Sequence, residues 1–521
     1  MFLLFFIICL VCFAVICSNF SFFLVINNLM FNGMIWNINF IFDYVSLLVL
    51  LMLLICFVYA SFYTNHYFSG DFSWFDLYKI ICLFVAVMAS LVITGDYLTT
   101  LIFWEYLGVV SYFLILFYLN YLSLRSSIIT LVSSRFGDVC LFLLIAVSGF
   151  YGQINTNFCL LVFLLVILTK SASFPFISWL LEAMRAPTPV SSLVHSSTLV
   201  AAGVWFAMRY NIFVYVPYVF LITILLLITI FISGVCCFWF IDLKKIVALS
   251  TCNNISWCIF YLLFGDVCLS LFQLVSHGVS KCLLFMLVGD IMSGSSGSQA
   301  SNCVYNSSFF NNWNIFSLFS IILGLSGAPY IGVFFTKHFL ISSLNTILNI
   351  GLTVFVLICV FISYFYSFRF CSILINTKSS ISSGMLFTFE SGLMVYFWLL
   401  INYFLSSILD EVYLITFHTS TTLLLFQLIS CVTAYFMYNN VTLSNWCSSL
   451  FGCDNLVENS YTWFNSLNNV ISLFFFRWDN QLLTIFQGYG TSNIILFNNS
   501  LLNISMFITT MFLSYWLIFY I

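Results

Sequence analysis

Six titratable side chains stand inside long apolar runs: Glu105, Lys170, His195, His277, Lys281 and Lys337. A charge at the centre of a lipid-spanning helix costs about 2.5–3.5 kcal/mol on insertion scales, so each is a functional candidate by default. Glu105 sits within LTTLIFWEYLGVVSYFLILF, and Lys170 follows the unbroken run Phe158–Thr169, too deep to reach either interface easily. His195 lies in PVSSLVHSSTLVAAGVW, where a hydrogen-bonded structural histidine is a serious rival reading. His277 and Lys281 are four apart and share one helical face. Arg135, Asp138, Glu182 and His338 are supporting candidates; Arg135 and Asp138, three apart, equally read as an ion pair at a helix end. Asp242, Lys244 and Lys245 read as solvated loop charges.

Buried bases with a carboxylate nearby suit proton exchange. To titrate near pH 7 a lysine must drop by about 3 from its ordinary value of ~10.4, about 4 kcal/mol. Moving one charge across ~150–200 mV costs ~3.5–4.6 kcal/mol. The two sizes match, so a lysine alternately held and released by a carboxylate can do pumping work. In this scheme Glu105 holds the proton on Lys170, and its displacement sends the proton toward His195. No metal-ligand cluster, nucleophile triad or phosphate loop is visible, and nucleotide binding would need a Gly-rich turn after a strand.

These groups must be positioned by membrane helices. Of 521 residues, 63% are hydrophobic, 20% aromatic and only 6% charged. Soluble domains carry about 25% charged residues, which excludes a water-soluble protein and a nucleic-acid binder. The expectation is an all-α polytopic membrane protein with about fifteen spans, near 1–25, 42–67, 75–95, 97–120, 124–150, 157–183, 189–210, 215–238, 245–264, 267–292, 314–345, 349–375, 391–409, 419–438 and 502–521. Residues 1–25 read as a first membrane helix, not a removable signal. The 19 cysteines, including Cys9, Cys12, Cys236 and Cys237, read as small buried hydrophobes.

Two helices carry breakers beside a lysine: LTKSASFPFISWLL, with Pro175 after Lys170, and ILGLSGAPYIGVFFTKHFL, with Pro329 before Lys337. Broken helices are tolerated in lipid only where they face protein or a wet cavity, and internally repeated transporters place their sites at such breaks. The expected organisation is N-terminal helices at 1–96, one half-channel at 97–238, a second at 239–375, and C-terminal helices at 376–521. The last part holds a lateral in-plane segment near 455–500 and a final anchor; for 440–500 a partly ordered connector is an equal alternative.

Taken together, WEYLGVVSYFLI, RFGDV, TKSASFPFISWLLEAMRAPTPVSSLVHSSTLVAAGV, DLKKIVALST, HGVSKCLLF and PYIGVFFTKHFL resemble the antiporter-like membrane subunits of respiratory complex I, the NADH dehydrogenase subunit 5 family. The resemblance runs from about 42 to 375, and 42–68 looks like that family's third helix. It implies Glu105 as the key glutamate, Lys170 as the broken-helix lysine, His195 as the bridging histidine, His277 and Lys281 as the second-half bases, and Lys337 as the terminal-channel lysine. It also implies a proton-pumping subunit of the mitochondrial inner membrane, organelle-encoded, among complex I membrane-arm and accessory subunits, with lipids such as cardiolipin as neighbours and no nucleic acid. No cofactor is implied on this chain; NADH, FMN, iron–sulfur clusters and ubiquinone belong to partner subunits. The sequence departs from the family at His338, where an acidic residue is usual, and at Gln273, where a histidine is frequent. One N-terminal span is missing and the lateral region is short. The alternative implied is a subunit of a multi-subunit Na+/H+ antiporter.

Overall fold

The computed structural model describes residues 21–31, 34–149, 156–210, 213, 219–264, 266–305, 312–329, 331–344, 350–377, 394–395, 398–399, 401–403, 417–486 and 500–520. Ten helices among them are long and apolar enough to cross a membrane, and the chain is a multi-pass helical membrane protein.

The order begins with an antiparallel hairpin, β1 (Phe22–Phe31) and β2 (Met34–Phe42). This corrects the expected helix over 1–25: residues 22–25 are strand, and 1–20 lie outside the described residues. Phe22, Val25 and Ile26 suit an extended chain as well as a helix, and the pairing of Phe22 with Phe42 and Phe23 with Ile41 decides between them.

Helices α1 (Tyr44–Tyr67), α2 (Ser73–Ile93), α3 (Tyr97–Leu116) and α4 (Tyr121–Gly149) follow. Asp43 caps α1 through the Ser46 amide, and the Ser46 hydroxyl accepts from the Asp43 amide. Arg209 donates to Asp43 at 2.8 Å and to the Val92 carbonyl at 3.0 Å, tying three segments together. Helix α5 (Thr156–Lys170) stops at its lysine, and the chain resumes as α6 (Ser178–Glu182), a 3-10 turn at Ala183–Arg185, α7 (Thr188–Leu193), a π turn at Val194–Thr198 and α8 (Leu199–Tyr210). Then come α9 (Val219–Trp239), α10 (Leu243–Leu263) and α11 (Val267–Gly294).

The second interrupted segment is α12 (Asn312–Ser326), a break, and α13 (Phe334–Leu344), followed by α14 (Ile350–Ile375) and α15 (Phe417–Met437). A short α16 (Ser444–Ser448) precedes α17 (Cys453–Phe486) and α18 (Ser500–Tyr520). Of the expected span 391–409, the described residues 394–395, 398–399 and 401–403 are helical. The chain divides into two units, residues 1–453 and 454–521.

Within the first unit α11 is the hub: it packs on α1, α7, the π turn, α10 and α12. Its membrane-crossing window is wholly buried, as is that of the α7–α8 segment. By contrast α2, α4 and α15 keep most of their surface outward. His277 and Lys281 on α11 and His195 in the π turn therefore lie on segments enclosed by protein.

Candidate functional site

Lys170 is fully buried at the broken end of α5. The break is self-sealing: the Ser171 and Ser173 hydroxyls donate to the Ile167 and Leu168 carbonyls, and the Trp179 indole donates to the Thr169 carbonyl at 3.0 Å. The Lys170 ammonium sits 5.2 Å from the centre of the Trp104 ring and has no hydrogen-bond partner. A cation over an aromatic face gains about 0.5–2 kcal/mol.

Its carboxylates are shared with Arg135, whose guanidinium lies 3.2 Å from Glu105 and 3.4 Å from Asp138. Asp138 is buried, whereas the Glu105 and Arg135 side chains are partly exposed. Glu105 is ion-paired with Arg135, which also reaches Asp138; among the described residues no ion pair joins either carboxylate to Lys170. The π turn delivers His195, fully buried and without a hydrogen bond at either ring nitrogen. Lys170 and His195 line one cavity with Ser111, Thr130, Ser134 and Thr169.

The second group gathers around α11. His277 and Lys281 are buried on it, and Lys281 donates to the Ser250 hydroxyl of α10. Lys281 and Ser250 face a small cavity with Asn254, Ser326, Tyr366 and Ser367. Ser326, at the broken end of α12, offers its carbonyl to Lys337 at 2.6 Å, and Lys337 also donates to the Ser363 hydroxyl at 2.6 Å. The Lys337 ammonium lies 3.9 Å from the centre of the Tyr364 ring. One cavity and one broken-helix carbonyl thus connect Lys281 to Lys337. His338 is buried against the Thr419 hydroxyl, and the Gln273 carbonyl oxygen accepts from Thr336 at 2.9 Å. Both family departures are accommodated by hydroxyl partners.

Glu182 pairs with Arg185 at 3.3 Å in a partly exposed turn. Asp242 and Lys245 pair at 3.3 Å and are partly exposed, with Lys245 in the first turn of α10 and not in a loop. Lys244 is a correction: it is buried within α10, donating to the Ala186 carbonyl at 3.3 Å. Its neighbours Asp242 and Lys245 made the stretch look like loop, but one helical step turns Lys244 inward. The reading also missed Asp290, buried on α11 with His66 at 3.8 Å; being followed by IMSGSSGS, it resembles a loop charge. Cys236 and Cys237 are buried and free, and Cys9 and Cys12 lie outside the described residues. Among the described residues no three His, Cys, Asp or Glu side chains gather as a metal site.

Residues 94–365 match the family described as NADH:quinone oxidoreductase/Mrp antiporter, TM. The chain is 34% identical over 330 residues to NADH-ubiquinone oxidoreductase chain 5 of Anopheles quadrimaculatus, covering 60% of this chain and 57% of that protein. It is 35% identical over 317 residues to the Caenorhabditis elegans chain of the same name, covering 59% and 60%. The chain thus spans little more than half the length of these relatives. In fold it is similar to a chain of the Mrp complex from Dietzia sp. DQ12-45-1b, with a TM-score of 0.73 and 17% identity over 94% of this chain and 60% of that one. It is also similar to a chain of an archaeal membrane-bound sulfane sulfur reductase, with a TM-score of 0.64 and 17% identity over 84% and 91%.

Proposed function

This chain belongs to the NADH:quinone oxidoreductase/Mrp antiporter transmembrane family, and we propose that it is the proton-translocating membrane-arm subunit of a mitochondrial NADH:ubiquinone oxidoreductase. The observation that carries the reading is the pair of buried lysines, Lys170 and Lys337, each at the broken end of a helix. Ammonium groups in such positions cost stability unless they work.

In this reading residues 97–238 form one half-channel and 239–375 the other. Asp138 and Glu105, with Arg135 between them, set the charge that Lys170 feels. A shift of Arg135 toward or away from the carboxylates changes their pull and so loads or unloads the lysine. The proton released passes to His195, which shares the Lys170 cavity. Lys281 exchanges with Lys337 across the cavity edged by Ser250 and Ser326. His277 lies one turn before Lys281, and His338 adjoins Lys337. NADH, FMN, iron–sulfur clusters and ubiquinone belong to partner subunits, whose redox chemistry drives the lysines at a distance. The amphipathic helix α17 is about 51 Å long, and α18 holds the apolar stretch Met506–Tyr515.

Lys170→Met keeps the long side chain and removes the charge. The assembled complex should form normally and oxidise NADH without acidifying vesicles; normal proton uptake by this variant overturns the reading. The alternative, a Na+/H+ antiporter subunit, is favoured by no observation at the lysines.

A further inference from the structure

Helix α12 ends at Ser326 and α13 begins at Phe334, so the last carbonyls of α12 must find donors outside the helix. The Leu323 carbonyl is closed locally, by the Gly327 and Ala328 amides at 3.0 and 2.8 Å. The carbonyls of Ser326 and Gly327, at the mouth of the break, are met by side chains. Ser326 takes the Lys337 ammonium and Gly327 takes the Gln427 side-chain amide, both at 2.6 Å. Gln427 comes from α15, 100 residues along the chain. At the first break Ser171, Ser173 and Trp179 serve carbonyls at most ten residues away.

Gln427 stands on the inward stripe of α15. Leu423, Ser430 and Ala434 are buried at three- and four-residue steps from it, while Leu424, Leu425, Leu428 and Ile429 are exposed. It is the one side-chain amide in α15. An amide among hydrocarbon is costly unless it is hydrogen-bonded, and the Gly327 carbonyl meets that need. The acceptor is itself loosely held. Gly327 has φ +93°, and glycine moves through such conformations with little steric resistance, so its own backbone does not fix the two carbonyls beside it. The position that a Cβ would take on Gly327 lies 3.5 Å from Lys337 Cδ and 3.4 Å from Tyr364 Oη. The carbonyl bound by Gln427 and the carbonyl bound by Lys337 are therefore joined through one glycine, against which the lysine chain lies.

We propose that Gln427 is a positioning residue for Lys337, acting through the Gly327 turn. The proposal rests on the proton-translocating reading above. By holding the Gly327 carbonyl, Gln427 fixes the peptide planes on either side of that glycine and keeps the Ser326 carbonyl on the ammonium. Its amide exchanges no proton with the lysine. When it lets go, the turn rotates, the Ser326 carbonyl leaves, and Lys337 keeps the Ser363 hydroxyl. Ser326 also edges the cavity that Lys281 faces, so the same turn sets how the two lysines are joined.

The test uses the complete assembled complex in sealed vesicles, reading assembly, NADH oxidation and proton uptake. Gln427→Met keeps the length and removes the donor; uptake should fall about fivefold to tenfold, the scale of one lost hydrogen bond. Ser363→Ala removes the second acceptor of Lys337. With both changes the loss should exceed the product of the two single losses, because the ammonium then has neither partner. A packing role for Gln427 predicts full uptake in Gln427→Met, and a role away from Lys337 predicts losses that simply multiply; either result, with Lys170→Met inactive, overturns the proposal and leaves the translocation reading standing. If Lys170→Met pumps normally, that reading falls instead. Should Gln427→Met fail to assemble, the isosteric Gln427→Glu takes its place. Its carboxyl donates to the Gly327 carbonyl when protonated and repels it when ionised, so uptake relative to the parent complex should fall as pH rises; a ratio independent of pH overturns the assignment.

Discussion

Residue scale shows which buried charges are held and which are not. Arg135 is bound to two carboxylates and Lys337 to a carbonyl and a hydroxyl, whereas Lys170 has only an aromatic face and the longer-range pull of Asp138 and Glu105. A group meant to gain and lose a proton must not be trapped by its partners, and Lys170 meets that condition best. Lys244 is a different case. It is buried, donates to one carbonyl, and forms no ion pair among the described residues. Replacing an uncompensated buried charge by an apolar group of similar length is often neutral or stabilising. Lys244→Met should therefore leave the thermal unfolding of the assembly unchanged or raise its stability by up to about 1 kcal/mol. A loss above about 2 kcal/mol would show a hidden partner. That Lys244 is interior was not legible in DLKK, because adjacent charges differ only by the 100° that a helix turns between residues.

At the scale of elements, the two breaks are built differently. The first is stitched by serine hydroxyls and an indole. The second depends on glycine: Gly332 has φ +56°, and a Cβ there would stand 2.9 Å from the Gly324 carbonyl oxygen. Left-handed backbone costs a residue with a side chain about 1–2 kcal/mol, and the clash adds to this. Gly332→Ala should lower the thermal stability more than Gly297→Ala, which shares the positive φ but meets nothing within 4 Å; equal shifts would refute the close approach. Helix α17 is amphipathic along its length. Val457, Tyr461, Phe464, Leu467, Ile471, Phe475, Trp478 and Leu482 recur at three- and four-residue steps, opposite Glu458, Thr462, Asn469 and Asn480. For an in-plane helix, Ile471→Asp should reduce the yield of assembled complex and Ser466→Asp should not, as read on native gels. Equal yields would contradict that placement.

On the scale of the whole molecule, enclosure is the governing fact. The buried lysines and histidines lie inside the protein, whereas α2, α4 and α15 keep most of their surface outward, so the charges meet protein and cavities, not lipid. With no carboxylate forming an ion pair to Lys170, Lys281 or Lys337 among the described residues, these sites suit protons better than sodium, which needs several oxygen ligands without a competing ammonium. NADH-driven proton uptake should persist at full rate in sodium-free vesicles. A requirement for sodium would move the chain to the antiporter alternative.

Taken alone, the sequence determined the membrane class, the two breaks and five buried bases, Lys170, His195, His277, Lys281 and Lys337. Long apolar runs, prolines beside lysines and charges within hydrocarbon are each local and energetically unambiguous. Tertiary structure decided the partners. Glu105 and Asp138 are 30 and 3 residues from Arg135 in the chain, yet one guanidinium reaches both. The packing of α11 against α10 and α12 brings Lys281 to the cavity that Ser326 edges. Which face of a helix meets which neighbour depends on the summed packing of the whole bundle, and no local pattern records that sum. The opening hairpin has the same origin, since a strand exists only through the partner it pairs with.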